Sequence, residues 1–142
     1  MTIAFGAAIF ILVSFLVARW LTAENRERTA VTDLLRAQAG GDADSMLALL
    51  EGCSSEPSCR AAVERNARAL RRPGTVRVLR FDSSTAHALL AQSGVTRVAW
   101  DAGGTSLPVV QCIDVERRGV PFLGGEIVLR SISPKIAGAA SC

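Results

Sequence analysis

The chain has 142 residues and a formal net charge of +3, from 16 basic and 13 acidic side chains. A chain of this length has room for one domain. Nucleic-acid binding usually requires a stronger and more clustered basic excess, so the charge balance disfavours that class of function. Hydrophobic residues make up 49% of the sequence, but the charge-free segment from Met1 to Ala18 inflates this figure.

The opening segment predicts a membrane anchor. Ile3 to Ala18 is apolar or small throughout, and Arg19 and Trp20 follow it as interfacial residues do. A helix over residues 1–23 would rise about 34 Å, and a hydrocarbon core is about 30 Å thick. A cleaved signal peptide and a buried core helix are the alternatives, but no basic residue precedes the apolar run. We therefore expect an anchor over 1–23 and a folded domain over 24–142.

The four cysteines predict two disulfides. Four cysteines allow three pairings. Cys53 and Cys59 flank a short loop rich in serine, which leaves Cys112 as the partner of Cys142. A zinc site and free buried thiols are the alternatives, but the spacing is not that of zinc ligands. Disulfides persist in oxidising compartments and so predict an extracytoplasmic domain, whereas the basic residues after the first segment favour the opposite orientation.

Helical periodicity covers the first half of the predicted domain, and a period of two covers the second half. Apolar residues recur at three- and four-residue steps over Glu24–Ala39, with Glu27 outside the apolar face, and over Cys59–Leu70. A further helix between them begins at the cap residue Asp42. Alternation predicts strands over Thr75–Phe81, Val95–Asp101, Val109–Arg117 and Glu126–Ser133, and a short helix is expected over Ser83–Gln92. Helices followed by strands predict an α+β domain in which the helices pack on one face of an antiparallel sheet.

The run LLRAQAGGDADSMLALL and the later segments TRVAWDAGG, PVVQCIDVERRG and EIVLRSIS show a family resemblance. From Glu24 to about Pro134 the chain resembles small, membrane-anchored, extracytoplasmic bacterial members of the nuclear transport factor 2-like (cystatin-like) superfamily. The resemblance rests on the order of elements and one turn motif. It implies a curved antiparallel sheet wrapped by helices into a cone, with a pocket at the open end. Among the relatives that it implies are assembly subunits of type IV secretion systems and accessory proteins of lipid-import complexes.

The residues disfavour catalysis. Enzymes of the superfamily use Tyr, His and Asp in the pocket, and this chain has no tyrosine. His87 is the single histidine, and as a general base it would need Asp101 or Asp114 as a partner. Both carboxylates are explained more simply as strand-end or outward-facing residues, and nucleotide-binding or nucleophile motifs are absent. We therefore expect no enzyme, no metal and no cofactor.

A basic run from Arg60 to Arg80 predicts a surface for an anionic partner. It contains seven arginines against Glu64 as the one acid. The candidate patch consists of Arg65, Arg68, Arg71 and Arg72, and its partner would be an anionic lipid, an acidic wall polymer or an acidic protein. The alternative is an ordinary solvated helix face on which Glu64 pairs with Arg68.

The sequence thus predicts a non-catalytic, membrane-anchored extracytoplasmic domain. It would bind a protein partner, associate with itself, or serve as an accessory subunit of a cell-envelope complex. The second hypothesis is a module that holds a small apolar ligand or lipid in the pocket of the cone. The third and weakest is a pocket enzyme that uses His87.

Overall fold

The computed structural model describes residues 2–84, 93–104, 107–119 and 125–142. Within them the chain forms helices first and strands afterwards. The elements are α1 (Thr2–Gly40), α2 (Ala43–Leu49), a short 3₁₀ helix (Cys53–Ser55), α3 (Pro57–Ala69), β1 (Val76–Ser83), β2 (Ser93–Ala102), β3 (Val109–Arg118) and β4 (Glu126–Ile132). The predicted α+β class with an antiparallel sheet is confirmed, whereas the short helix expected over Ser83–Gln92 lies largely outside the described residues.

The first helix corrects the predicted anchor. α1 runs without a break from Thr2 to Gly40, across the boundary that we expected after Ala23. Its charge-free part ends at Ala18, about 25 Å along the helix axis, which is shorter than a hydrocarbon core of about 30 Å. In the parts of the chain that the structure describes, no helix has both the length and the apolar character to cross a bilayer. The predicted transmembrane helix over 1–23 is therefore wrong, and so is the single-pass membrane localisation derived from it.

The second half of α1 packs on the sheet and forms the core with it. Val31, Leu34 and Leu35 are fully buried at the predicted three- and four-residue steps. They face inward-pointing side chains of the sheet, of which Trp100 is the largest. Alternation along the strands places one face of the sheet against the helices and leaves the other face outside.

Two glycines and an aspartate end α1 and begin α2. Gly41 has a φ of 76°, a left-handed conformation that glycine adopts without steric cost, and its amide donates to Gln38 O at 2.9 Å. Asp42 then caps α2, because its Oδ1 accepts a hydrogen bond of 3.0 Å from the amide of Ser45. The predicted helix break and cap are confirmed.

The sheet is an antiparallel meander with the order β1-β2-β3-β4. The register shifts between Val78 and Arg80, so that Leu79 forms a bulge in β1. On β3 the alternate residues Val109, Gln111, Ile113 and Val115 are all buried. The strand order makes β1 and β4 the outer strands of the described sheet.

The structure contains the two disulfides that the sequence predicts. Cys53 pairs with Cys59 at a Cα–Cα distance of 5.2 Å, and Cys112 pairs with Cys142 at 5.7 Å. The amides of Ser133 and Ile136 donate to β3 carbonyls, and the second bridge then holds residues 138–142, which we call the tail, on the outer face of the sheet. Arg97, the register partner of Cys112, donates hydrogen bonds to the carbonyl oxygens of Gly138 and Ala140. The tail is thus fastened by a covalent bond and by one guanidinium.

Candidate functional site

The candidate site is an open groove of about 720 Å³ where the end of α1, the segment after α3 and the start of β1 meet. Three of its side chains are arginines, and we call it the basic groove. Its lining consists of Arg36, Ala39, Gly40, Arg71, Arg72, Pro73, Gly74, Thr75 and Val76. This arrangement brings Arg36 to two arginines that lie more than thirty residues later in the sequence.

Local hydrogen bonds fix the segment that carries Arg71 and Arg72. α3 ends when Leu70 donates its amide to Asn66 O at 2.9 Å, and the amide of Arg72 then donates to Ala39 O at 2.9 Å. The guanidinium of Arg72 donates to Leu107 O at 2.8 Å. The segment after α3 is therefore tied to the carboxyl end of α1, where cationic side chains are favoured by the helix dipole.

Glycine is required at residue 74, which lines the basic groove. Gly74 has a φ of 115°, and a Cβ at this position would lie 2.7 Å from the Cα of Gly103. Since carbon atoms do not approach so closely, any side chain at residue 74 would push the turn before β1 away from the turn after β2. The sequence stop signal Pro73-Gly74 thus also permits the close approach of these two turns.

Three arginines of the predicted patch are exposed and carry no ion pair. Within the described ranges, no carboxylate lies at salt-bridge distance from Arg65, Arg68 or Arg71. The predicted alternative, a pair between Glu64 and Arg68, is not formed. We call Arg36 together with the four patch arginines the basic surface.

Seven other arginines differ from these three because each of the seven has a carboxylate partner. Arg36 itself pairs with Asp33 at 2.7 Å. The paired set comprises Arg36, Arg77, Arg80, Arg97, Arg117, Arg118 and Arg130. Within the described residues, Arg65, Arg68 and Arg71 thus place positive charge without a carboxylate partner on α3 and at the basic groove.

A closed ring of ion pairs shows how the rest of the surface is neutralised. Arg118 donates to both Glu51 and Glu116, and Arg130 donates to the same two carboxylates. The hydrogen bonds from Arg130, and then those from Arg118, lower the pKa of Glu116. Two positive and two negative groups cancel here, so this ring offers no net charge to a partner.

The residues of the weakest hypothesis, a pocket enzyme, are not brought together in the described parts of the chain. His87 lies outside the described residues. Asp101 is buried and accepts hydrogen bonds from Arg77 at 2.9 and 3.2 Å, which raise the pKa of that guanidinium. Asp114 is exposed and accepts from Ser131 on the next strand. Across residues 2–84, 93–104, 107–119 and 125–142, no group of three His, Cys, Asp or Glu side chains is arranged to hold a metal ion, and nothing positive indicates catalysis.

A buried amide network fills the inner side of the sheet. Gln111 Oε1 accepts hydrogen bonds of 2.8 Å from Gln38 Nε2 and from Trp100 Nε1. Gln111 Nε2 donates to Ser133 O at 2.9 Å, and Asn66 donates to the same carbonyl at 3.0 Å. The inner side of the sheet is therefore occupied at this point by side chains that bond to one another. Periodicity places Gln38 and Gln111 inward, but it does not reveal their pairing.

Glu27 corrects a prediction about the first helix. The sequence places it outside the apolar face, yet it is fully buried. It accepts a hydrogen bond of 2.5 Å from Thr96 Oγ1, and its Oε2 lies 3.2 Å from Arg117 Nη2. Because these partners come from β2 and β3, the pattern within the helix gives no signal of them.

Comparisons with protein-family models, with curated proteins and with solved structures found no match for this chain. The resemblance to the nuclear transport factor 2-like superfamily accordingly stays a prediction.

Proposed function

We propose that this chain is a non-catalytic binding domain that recognises an acidic segment of a protein partner through the basic surface. The observation that carries the proposal is the contrast between arginines. Arg65, Arg68 and Arg71 are exposed without an ion pair in the described structure, whereas the arginines of the sheet are matched with carboxylates. The order of helices and strands also supports membership of the nuclear transport factor 2-like superfamily, which includes non-catalytic subunits of protein complexes.

Electrostatics favours an acidic partner at this surface. A paired arginine gives up its existing carboxylate contact when it binds a ligand, but an unpaired one gains an ion pair without losing another. A cluster of one sign also attracts an oppositely charged partner before contact. A protein segment with several carboxylates satisfies both conditions, and the open shape of the groove admits a chain rather than enclosing a small molecule.

Binding of a fluorescent decaglutamate peptide tests the proposal by anisotropy. The triple variant Arg65→Gln/Arg68→Gln/Arg71→Gln should bind about ten-fold more weakly than the wild type, since three exposed ion pairs contribute about 0.5 kcal/mol each. Arg80→Gln is the matched control: it removes one exposed arginine whose charge Asp82 already balances. Each of the single variants Arg65→Gln, Arg68→Gln and Arg71→Gln should weaken binding more than Arg80→Gln does.

Equal binding by the wild type and the triple variant would overturn the proposal, and so would the absence of saturable binding at low salt. Thermal unfolding of every variant shows whether a loss of binding comes from the surface or from a loss of fold. All of the substituted side chains are exposed, so their melting temperatures should stay close to that of the wild type.

A further inference from the structure

The two outer strands of the sheet differ in what covers their free edges. On the β4 side, Leu50 forms a parallel bridge with Leu129, and the amide of Glu51 donates to Leu129 O at 2.9 Å. On the β1 side, β2 is the partner strand, and no second ladder or bridge joins the outer edge of residues 76–82 within the described structure. An open edge presents backbone groups with which an extended peptide can pair.

The open edge begins inside the basic groove. Thr75 and Val76 line the groove, and β1 starts at Val76. Because the groove and the outer strand share Val76, a chain bound in the groove can reach the first residue of β1. The groove and the edge therefore form one continuous surface, with Arg71 and Arg72 at one end.

The character of this surface changes along its length. At the groove end, Arg71 is not paired with a carboxylate of the described chain. Further along, Arg77 and Arg80 are balanced by Asp101 and Asp82. Between them the bulge presents Leu79, which is 52% exposed. An occupant would need acidic residues at one end and uncharged, strand-forming residues over the rest.

The bulge and the paired charges also limit what can dock. Bulges and charged side chains are devices that protect outer strands from unspecific pairing. They do not remove the backbone donors and acceptors, but they disfavour a long, flat, apolar strand. A short strand that is anchored by its acidic end is compatible with both features.

We propose that a short extended peptide adds to the outer edge of β1 as a further strand, with its acidic end in the basic groove. This inference rests on the proposed function of the groove and names the form of the partner: the segment binds as a strand, and its main chain makes hydrogen bonds with residues 76–82. The charges fix its position and the backbone supplies the pairing.

Three synthetic peptides separate the two contributions. The first is hexaglutamate, the second has three glutamates followed by alternating threonine and valine, and the third is the second with its valines replaced by proline. Proline cannot donate a ladder hydrogen bond. We expect the second peptide to bind the full chain at least about five-fold more tightly than the third, because only the second completes a ladder.

Hydrogen–deuterium exchange locates the pairing. The second peptide should slow exchange of amides within residues 76–82, and β4 serves as the internal control because its edge is already covered by Leu50. Arg71→Gln should weaken all three peptides to a similar degree.

Equal affinity of the second and third peptides, together with unchanged exchange in β1, would overturn this inference. If hexaglutamate still bound in an arginine-dependent manner, the proposed function of the groove would survive that result. Failure of all three peptides to bind would instead overturn the proposed function.

Discussion

Glu27 shows how one side chain fastens the first helix to the sheet. Its carboxylate is fully buried between α1 and the strands, where a lone charge would be costly. Thr96 donates a hydrogen bond to it and Arg117 supplies the opposite charge. Arg117 Nε is itself buried without a hydrogen-bond partner in the described structure, so this guanidinium depends strongly on Glu27.

Glu27→Gln should therefore destabilise the domain. The substitution keeps the shape of the side chain but leaves Arg117 without its counter-charge, and breaking such a pair costs about 2–4 kcal/mol of unfolding free energy. Denaturant unfolding measures the change. Asp33→Asn is the control, because it removes an exposed pair with Arg36 that contributes at most about 0.5 kcal/mol. Similar losses in the two variants would contradict the role given to Glu27.

Glu116 gives a prediction about pH. Hydrogen bonds from Arg130 and Arg118 lower its pKa below the ordinary value of 4.5. A carboxylate whose pKa is lowered in the folded state stabilises that state above its unfolded pKa, and the contribution is lost as the pH falls through the folded value. Glu116→Gln should consequently melt below the wild type at pH 7, and the difference should shrink as the pH falls below about 4.5. A difference that stays constant from pH 7 to pH 3 would refute this linkage.

At the scale of elements, the two disulfides differ in burial and in the length of chain that each one closes. Cys53 is buried in the core, whereas Cys142 is exposed at the outer face of the sheet. The bridge between Cys53 and Cys59 spans 6 residues, and the bridge between Cys112 and Cys142 spans 30. The longer loop restricts the unfolded chain more, and the exposed sulfur is easier for a reductant to reach.

A mild dithiol should therefore open Cys112–Cys142 before Cys53–Cys59. Alkylation followed by peptide mass spectrometry measures the order. The double variant Cys112→Ser/Cys142→Ser should lose about 3–4 kcal/mol of unfolding free energy, and Cys53→Ser/Cys59→Ser about 2 kcal/mol from loop entropy alone. Reduction of Cys53–Cys59 before Cys112–Cys142 would show that exposure of the sulfur atoms does not govern the order of reduction.

The elements also show which features a single sequence reveals. The strand β3 is predicted correctly because alternation along a strand needs no knowledge of its neighbours. The burial of Glu27 is mispredicted because its hydrogen-bond partners lie on strands of the sheet, 69 and 90 residues later in the sequence. The anchor is mispredicted because the hydropathy pattern covers only the first segment, whereas the helix continues past Arg19 into charged turns as one element.

The candidate site was predictable in part for the same reason. Clustered charge identifies Arg65, Arg68, Arg71 and Arg72 from their spacing alone. Arg36 joins them only because the end of α1 meets the segment after α3, through the hydrogen bond from Arg72 to Ala39. The open edge beside the groove depends on the order of the strands, which no local pattern contains.

For the molecule as a whole, charge is unevenly distributed. The formal net charge of +3 is small, yet the ring around Glu51 and Glu116 is internally balanced while α3 carries unbalanced arginines. The domain therefore has a direction from which an acidic partner is attracted.

The rate of association should reflect this asymmetry. Raising the ionic strength from 0.01 to 0.15 M shortens the screening length from about 30 to about 8 Å, so decaglutamate should associate markedly more slowly. The dissociation rate should change less, and stopped-flow anisotropy separates the two rates. The triple variant of the basic surface should show a weaker dependence on salt. An identical dependence in both proteins would mean that steering does not arise from these arginines.

The fastening of the tail determines how the domain presents itself when it is attached to something else. Arg97 holds the carbonyl groups of Gly138 and Ala140, and Cys142 is bonded to Cys112 on the side of the sheet that faces away from the helices. A dye, bead or sensor chip coupled at residue 142 would therefore sit behind the sheet. The attached surface would then lie on the side of the sheet opposite the helices, and the ends of two of those helices adjoin the basic groove.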